Sequence, residues 1–591
     1  MGSVEAFAER MVKGAGLVGA ITGVGMTLVV LLGGVDDLYG VDGVMYLIVL
    51  GAAVGAMAYF MIDGEGGSRV PQVVGALAVG AVALAAGVVT GFGWLEICGL
   101  VGAVAAAAAA ASGVCPSFSI RPWALGWVIL GVSLALVPQL MSGGALDHDE
   151  AAYALKARTW LEGAPESGWD LHRGIGMSVY AYPVLALGGG EAALRVLGWV
   201  SLLGLAAATW RLGRRIGGAW VGPAAAVMIL ASPSLLGEST DLMSDIPSAA
   251  LVTACMVIVW RELGEPEVPS YRLLTLLPLA WSAFYLRYQS VLSFGFIAVV
   301  AIALWRDKIV KKPGPVFALV FLGLVGFMPH FFHAAAETGS PIGILTFTAT
   351  STGGGKDFTG RGLDGYGALF GWSLAPLVVP VLVALAGWWY VASRRDRRDR
   401  DRAVFLLAPA AALVLFLGFM GEAYERFVFI SYALLAVAGA LGFSRLVSRW
   451  RASAAKAVTA GLAIVVLGAV SLAVAESRTH VERRVLRLGP LRVASSAIRE
   501  EVGGESCGVL TSYEPQINFY SRCMTDHFYP ELTAEGEVDH LVGRYRYMLL
   551  LRDGKRQPEG AELSELEALA PGVPTRVGDE RDWADLYRFE R

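Results

Sequence analysis

Long runs of residues without a single charged side chain are the feature that most restricts how this chain can fold. Residues 14–35, 43–62 and 122–146 contain no Asp, Glu, Lys or Arg. A helix needs about 20 such residues to cross the hydrocarbon core of a bilayer. Later stretches of the same kind bring the predicted total to about 15 membrane spans. They are roughly 193–210, 218–236, 246–260, 273–289, 290–305, 315–333, 370–392, 403–420, 427–444 and 457–475, with a break between two spans at 289/290. The chain is therefore predicted to be an all-α polytopic membrane protein.

The overall composition excludes several other classes of protein. Apolar residues make up 55% of the chain and charged residues only 17%, against about 25% charged residues in an ordinary soluble domain. The net charge is −4. Together these values exclude a disordered chain and a nucleic-acid binder that depends on bulk positive charge. We expect membrane lipids, and no nucleic acid, among the partners of the protein.

The basic residues predict the orientation of the spans, because cytoplasmic loops carry an excess of Lys and Arg. If the N-terminus is cytoplasmic, the inner loops hold most of the basic residues, including six Arg within 394–402. Three long segments, 142–192, 334–369 and the C-terminus from 476, then lie on the outer face. The bias of the composition towards Ala, Gly and Arg favours a bacterial inner (plasma) membrane.

The last part of the chain, 476–591, is charged and mixed, and it is predicted to form a small α/β extracytoplasmic domain. Its predicted elements are two short buried strands, a short helix and an edge strand: Cys507–Thr511, Tyr547–Leu551, Ala561–Leu569 and Asp585–Phe589. Cys507 and Cys523 either pair in an oxidising compartment or remain two buried thiols. The rest divides into extra N-terminal spans, 1–121, and a membrane core, 122–475.

The strongest candidate for a site of chemistry is an acidic cluster that directly follows an uncharged span. It comprises Asp147, His148, Asp149 and Glu150, and the residues after it have the pattern of an amphipathic helix at the membrane interface. One interpretation is a general base held at the boundary between membrane and water. The other is an acidic cap, with Asp147 as the cap residue, that stabilises the following helix.

A second acidic residue and three arginines extend this candidate site. Asp245 shortly precedes Pro247 and is either a helix cap or a second functional carboxylate. Arg287 and Arg426 lie at predicted outer ends of spans, and Arg173 lies in the first outer loop. An arginine fork binds phosphate oxygens in a bidentate manner, although such an arginine also pairs with neighbouring acids or snorkels to the interface. Three outward cations beside an acidic cluster indicate an anionic ligand.

Two further patterns carry less information. The segment Gly353-Gly-Gly-Lys356-Asp357 lacks the first Gly and the Ser/Thr of a phosphate-binding loop, so it is interpreted as an outer loop. His330 and His333 lie three residues apart at a predicted helix end. This spacing fits either a metal site or interfacial histidines beside aromatic residues, and we predict no metal ion and no other cofactor.

Motifs in the stretch 122–475 resemble those of the GT-C fold membrane glycosyltransferases. The closest branch is the protein mannosyltransferase-like and aminoarabinose transferase-like (RgtA/B/C/D-like) one. Order, spacing and predicted sidedness all agree. The motifs are Asp149-Glu150-Ala-Ala-Tyr153, Leu171-His172-Arg173, Gly190-Glu191-Ala-Ala-Leu-Arg195, Ser244-Asp245-Ile-Pro247, Leu286-Arg287-Tyr288, Thr338-Gly339-Ser340-Pro341 and Glu425-Arg426-Phe427. Ala152 stands where some aminoarabinose-type members have Arg, which leaves the sugar open.

The resemblance implies an integral membrane glycosyltransferase with a GT-C-like core. Such an enzyme moves a sugar from a polyprenyl-phosphate donor to a glycan, lipid or protein acceptor, and a single displacement at the anomeric carbon inverts its configuration. The resemblance makes Asp149 the general base, Glu150 its motif partner and Asp245 the acid of the second outer loop. The residues expected to bind the donor phosphate are Arg173, Arg287, Arg426 and Tyr153.

Two other functions stay open at this point. A transporter or lipid flippase shares the span count and the intramembrane arginines, but it predicts polar or broken helices near the bilayer midplane. A non-enzymatic membrane scaffold, with the C-terminal domain as a binding module, leaves the cluster around Asp149 without a purpose. Convergence of Asp149, Arg287 and Arg426 on one cavity would favour the enzyme.

Overall fold

The structure, a computed structural model, describes residues 144–589 apart from gaps at 266–268, 352–359, 373–382, 384, 391–395, 421–423, 448–451, 529–543, 553, 555–556, 571 and 579–582. The predicted spans before residue 144, and most of the one predicted at 370–392, lie outside the described residues. The described chain forms two compact units. The first comprises 171–176 and 198–477, and the second comprises 144–170, 177–197 and 478–589.

Helices make up most of the described chain. In chain order they are α1 His148–Glu162, α2 Gly176–Ala186, α3 Glu191–Gly217, α4 Val221–Leu230, α5 Pro233–Glu238, α6 Asp245–Val259, α7 Leu276–Leu286, α8 Ser290–Lys311, α9 Gly314–Thr338, α10 Gly343–Ser351, α11 Arg361–Trp372, α12 Arg397–Phe419, α13 Phe429–Val447, α14 Ala452–Val502, α15 Glu514–Ser521 and α16 Gly560–Ala568. A π-helical turn, Trp260–Gly264, continues α6, and 3-10 turns occupy Tyr271–Thr275 and Glu425–Val428.

Six helical segments of the described chain are long and apolar enough to cross a membrane. They are Glu191–Gly217, Asp245–Gly264, Ser290–Lys311, Gly314–Thr338, Arg397–Phe419 and Glu425–Leu446. Each coincides with a span predicted from the sequence. The predicted break at 289/290 is also present, because α7 ends at Leu286 and Arg287 is extended, with φ −154°.

One predicted span, 218–236, is wrong as a single helix. The structure has α4 up to Leu230 and the separate short helix α5 from Pro233. Ser232 caps α5, since its hydroxyl accepts the N–H of Leu235 at 3.4 Å. Proline lacks the N–H that would continue the first helix and keeps the residue before it out of the helical region. The segment is apolar throughout, so its hydropathy alone did not reveal the break between Leu230 and Pro233.

The second unit contains a five-stranded sheet of order β2-β1-β3-β5-β4. Its strands are β1 Gly508–Thr511, β2 Met524–Asp526, β3 Tyr547–Leu551, β4 Thr575–Gly578 and β5 Trp583–Arg588. Strand β1 pairs in parallel with β2 and β3, and β5 runs antiparallel between β3 and β4. Alternate residues of β1 enter different cores, because Val509 packs with Ile498 of α14, whereas Leu510 packs with Leu566 of α16.

The structure contains the strands predicted at Cys507–Thr511 and Tyr547–Leu551 and the helix predicted at Ala561–Leu569. The strand predicted at Asp585–Phe589 is present as β5, but its assignment as an edge strand is wrong. The edge strand next to β5 is β4, whose mostly exposed side chains lack the apolar alternation of a half-buried strand. Cys507 and Cys523 form a disulfide and are not two buried thiols.

We expect the disulfide to contribute about 3 kcal/mol to the stability of the second unit, because it closes a short loop in the unfolded chain. The two cysteines are 16 residues apart. Replacement of both Cys507 and Cys523 by Ala should lower the thermal midpoint of the purified protein, followed by scanning fluorimetry in detergent. Reductant should lower the midpoint of the wild type by a similar amount, and it should not change that of the double variant. An equal midpoint for the variant and the oxidised wild type would contradict the expectation.

Candidate functional site

The N-terminus of α1 is a capping box that fixes the predicted acidic cluster. Asp147 is the N-cap, and its side chain accepts the backbone N–H of Glu150. Its Oδ1 also accepts the N–H of His148 at 2.7 Å. In return, Oε2 of Glu150 accepts the N–H of Asp147 at 2.8 Å. This exchange satisfies N–H groups that the first turn of a helix leaves without partners. The prediction that Asp147 caps this helix is confirmed.

Glu150 also forms an ion pair that is completely buried. Its Oε1 lies 3.5 Å from Nε of Arg195, and neither side chain is accessible to solvent. Nη2 of Arg195 in turn donates to the carbonyl oxygens of Gly144 at 2.8 Å and Ala145 at 3.1 Å. Buried charges are tolerated when they are paired and when further hydrogen bonds satisfy them. The pair therefore ties the residues before α1 to α3.

The guanidinium of Arg484 also feels the charges of Glu150 and Arg195. Arg484 of α14 is only 4% exposed. Burial lowers the pKa of its guanidinium to about 10, while the negative charge of Glu150 acts in the opposite direction. Arg484 is consequently a cation at neutral pH. These contacts support an anchoring role for Glu150, between cations and backbone groups, more than a role in proton transfer.

Asp149 lies between these anchored residues, in the first turn of α1. It is half-buried, and it lies between Asp147 and Glu150, the two residues of the capping box. Tyr153, one turn further along α1, is 5% exposed. Its ring meets the edge of Trp169, with ring centroids 6.2 Å apart. The backbone therefore holds Asp149 in a fixed place, whereas Tyr153 has the environment of a packing residue.

In the first unit, polar side chains line a small, partly open cleft. They come from α6, from the break between α7 and α8, from the first turn of α8 and from the 3-10 turn Glu425–Val428. The polar lining residues are Asp245, Ser248, Arg287, Gln289, Ser290, Ser293 and Arg426. The structure thus brings three predicted site residues together: Asp245, Arg287 and Arg426.

Arg287 is held in this cleft on three sides. Its Nη1 lies 2.7 Å from Oδ1 of Asp245, and its Nε donates to Oε1 of Gln289 at 3.1 Å. The guanidinium carbon lies 4.6 Å from the centre of the Phe427 ring, within the range of a cation–π interaction. The side chain of Asp245 is completely buried, but that of Arg287 is 22% exposed. Part of a fixed guanidinium therefore stays accessible.

The prediction that Asp245 caps its helix is wrong. Ser244 occupies the N-cap position, and Asp245 is the first residue of α6. A carboxylate there still interacts favourably with the helix dipole. Its direct partner is the cation Arg287, so Asp245 is fixed by an ion pair that local sequence does not reveal.

Arg426 is the second cation of the cleft. Its guanidinium carbon lies 5.6 Å and 5.9 Å from the ring centres of Tyr424 and Phe427. Phe427 therefore contacts both arginines of the cleft. The side chain of Gln289 adds a further link, because its Nε2 donates to the carbonyl oxygen of Phe427 at 3.2 Å.

Arg173 lies in a loop that packs against the end of α7, before Arg287. The next residue, Gly174, leaves no room for a side chain, since a Cβ would lie 2.3 Å from the carbonyl oxygen of Tyr285. Arg173 is 8% exposed, and it does not line the cleft. The structure therefore places its loop beside the predicted cations without making it part of the same cavity.

The surroundings of His330 agree with one of the two interpretations of the histidine pair. The ring of His330 packs against those of Phe284 and Tyr288, with centroids 4.8 Å and 4.7 Å apart, as in the aromatic interpretation. Among the residues that the structure describes, no three His, Cys, Asp or Glu side chains are grouped to hold a metal ion. The Gly-rich pattern at 353–357 lies outside those residues.

The sequence interpretation missed four polar residues of the cleft, one of which is Ser248 of α6. Gln289, Ser290 and Ser293 follow Arg287 within a segment that otherwise reads as apolar. Polar residues that recur at helical spacing within a predicted span are a usable signal, because unpaired polar groups are costly there.

Solved structures with the same architecture identify the fold. ArnT from Cupriavidus metallidurans bound to undecaprenyl phosphate is similar to this chain with a TM-score of 0.57 and 15% identity, covering 78% of this chain and 98% of ArnT. ArnT in the apo state gives a TM-score of 0.55 and 16% identity over the same shares. The chain has the GT-C fold. The resemblance inferred from short motifs is therefore confirmed for the fold, although no protein-family model and no curated protein sequence matches the chain.

Within this GT-C fold, we expect Glu150→Gln to lower the free energy of unfolding by about 3–5 kcal/mol, because it leaves the buried Arg195 without its counter-ion. The measurement is the thermal midpoint in detergent together with the yield of folded protein. Glu162→Gln is the matched control, since Glu162 is 39% exposed and pairs with Arg522 at the other end of α1. The control should change the stability by less than about 1 kcal/mol, and equal effects of the two variants would contradict the expectation.

Proposed function

We propose that the protein is an integral membrane glycosyltransferase that moves a sugar from a polyprenyl-phosphate donor to an acceptor hydroxyl, with inversion. The observation that carries the proposal is the cleft in which Arg287 and Arg426 lie at helix ends of a GT-C fold. A crystal structure with this fold holds undecaprenyl phosphate. Two fixed cations among apolar helices suit a ligand that combines a phosphate with a lipid tail.

The donor phosphate is proposed to bind at the arginines. When the sugar leaves, negative charge develops on the phosphate oxygen, and cations that are already fixed stabilise it without reorganisation. Asp245 and Gln289 hold the fork of Arg287 in place, so we assign Asp245 to the orientation of this cation. Arg173 is proposed as a further cation for the donor, on the loop beside α7.

Asp149 is the proposed general base. The acceptor oxygen attacks the anomeric carbon while the carboxylate takes the hydroxyl proton, and the bond from that carbon to the phosphate oxygen breaks. One displacement of this kind inverts the configuration and releases polyprenyl phosphate. The half-buried position of Asp149 in the first turn of α1 supports this role, and Glu150 anchors the same turn. The proposed acceptor is a hydroxyl group of a glycan, a lipid or a protein.

The proposed location is a bacterial inner membrane, with a cytoplasmic N-terminus and the chain from 476 in the extracytoplasmic space. The distribution of Lys and Arg supports this orientation. A disulfide between Cys507 and Cys523 agrees with an oxidising compartment for that part of the chain.

We expect Asp149→Asn to reduce sugar transfer by about 100-fold or more, as for the loss of a general base. Transfer is measured in isolated membranes at matched expression, with a panel of labelled polyprenyl-phosphate sugars. Asp147→Asn is the matched control, because it removes the same charge two residues away and Asn also caps helices well. The control should retain transfer within a few-fold of the wild type.

Transfer that survives in Asp149→Asn would move the base to another residue. A wild type that transfers no sugar from any donor of the panel would count against the glycosyltransferase and in favour of the transporter alternative.

We expect Arg287→Gln to raise the KM for the donor by about 10- to 100-fold, since a hydrogen bond to a charged group contributes about 1.5–3 kcal/mol. The control is Arg445→Gln, because Arg445 forms an ion pair with Asp399 instead, at 2.9 Å. Steady-state transfer at varied donor concentration gives the donor KM of each variant. Equal donor affinity in the two variants would place the phosphate away from the cleft.

A further inference from the structure

The segment that leads into α1 is buried, and its backbone groups find partners in distant parts of the chain. Ala145 and Leu146 are 1% and 0% exposed. A buried N–H or C=O group without a partner costs about as much as a lost hydrogen bond. Arg195 accounts for the carbonyl of Ala145, as described above. The N–H of Leu146 donates to the hydroxyl oxygen of Tyr520 at 2.8 Å.

Tyr520 lies in the last turn of α15, between β1 and β2. Burial raises the pKa of its hydroxyl well above the usual value, and the negative charge of Glu191 acts in the same direction. The hydroxyl consequently keeps its proton at any physiological pH. A neutral tyrosine hydroxyl accepts a hydrogen bond through its oxygen, so the bond from the N–H of Leu146 does not depend on a change of charge at Tyr520.

Other residues of α15 and its C-terminal flank hold the remainder of α1. Arg158, in the middle of α1, donates to the carbonyl oxygen of Phe519, and its guanidinium carbon lies 4.0 Å from the centre of the Phe519 ring. At the end of α1, Glu162 pairs with Arg522 at 3.3 Å. Residues 519–522 thus hold α1 before its start, at its middle and at its end.

We propose that Tyr520 is a positioning residue for sugar transfer, which acts by fixing the segment that carries Asp149. The inference rests on the proposed role of Asp149 as general base. Tyr520 binds the backbone three residues before Asp149, so its hydroxyl acts through the geometry of the helix start. A base must lie about 2.6–3.2 Å from the oxygen whose proton it takes, and a misplacement of about 1 Å can cost about 100-fold in rate.

The inference makes the C-terminal part of the chain a component of the catalytic machinery. It therefore differs from the earlier expectation of a separate domain on the outer face. A binding module that merely follows the membrane core would leave turnover unchanged when one of its buried hydroxyls is removed. A positioning element would change turnover and leave the affinity for the donor as it was.

The test compares Tyr520→Phe with Tyr545→Phe in the purified full-length protein. Tyr545 belongs to the same unit, but its hydroxyl donates to Asp526. With the polyprenyl-phosphate sugar that the wild type uses, Tyr520→Phe should lower kcat by about 10- to 100-fold and change the donor KM less than about twofold. Tyr545→Phe should change neither value by more than about twofold.

A second measurement follows the contact itself, independently of activity. Hydrogen–deuterium exchange of the peptide that spans 144–150 should become faster in Tyr520→Phe, because the N–H of Leu146 loses its acceptor. Exchange in β3 should stay unchanged, which separates local loosening from global unfolding. Tyr545→Phe should leave the 144–150 peptide protected.

The outcomes separate this inference from the proposed function. Faster exchange with unchanged kcat would overturn the positioning role of Tyr520. Unchanged exchange would overturn the contact, whatever the kinetics. A fall in kcat that comes with a matching rise in donor KM would also overturn it, because donor binding would then be affected. A wild type without transfer from any donor would refute the proposed function. Hydrogen–deuterium exchange of the 144–150 peptide would still test the bond between Leu146 and Tyr520 in that case.

Discussion

The ion pair between Glu150 and Arg195 is shielded from water on both sides, and it is stable because each partner also binds backbone groups. The carboxylate completes a capping box, and the guanidinium satisfies two carbonyls of the segment before the helix. Removing charges from water costs several kcal/mol per ion, which only good pairing offsets. The neighbouring pair of Asp147 and Arg487 is exposed on both sides and contributes far less. The geometry around Asp149 therefore depends on the buried pair.

The first unit also contains an ion pair that fixes an arginine, but only one of its two partners is completely buried. Asp245 is completely enclosed, whereas its partner Arg287 stays partly exposed in the cleft. The carboxylate thus fixes the orientation of the cation but does not compete with a ligand for its open side. Phe427 adds an apolar face beneath both arginines, which limits their freedom further. An anion that enters this cleft meets donors whose positions are already set, and such preorganisation strengthens electrostatic binding.

Features that arise from local sequence could be predicted. Uncharged runs predicted the six long apolar helical segments of the described chain. The acidic residue before α1 predicted the cap at Asp147, and apolar patterns predicted β1 and β3. Features that arise from pairing across the chain could not. Arg195 follows Glu150 by 45 residues, and Tyr520 follows Leu146 by 374, distances at which periodicity carries no signal. The edge position of β4 and the break at Pro233 were missed because short polar or Pro-containing segments read ambiguously. Convergence of Asp149, Arg287 and Arg426 on one cavity would favour the enzyme. Arg287 and Arg426 line one cleft, and the meeting of Asp149 with them stays a prediction.

The bond between Leu146 and Tyr520 also has a consequence for biosynthesis. The two residues are 374 positions apart, so a ribosome that adds about 5–20 residues per second needs roughly 20 to 75 seconds to reach the second after the first. During this interval the start of α1 has been made, but the hydroxyl that orders it does not yet exist. A nascent chain that stalls before residue 520 would insert its helices into the membrane with this segment unsecured. The order of synthesis therefore delays this contact with the segment before Asp149 until Tyr520 has been translated.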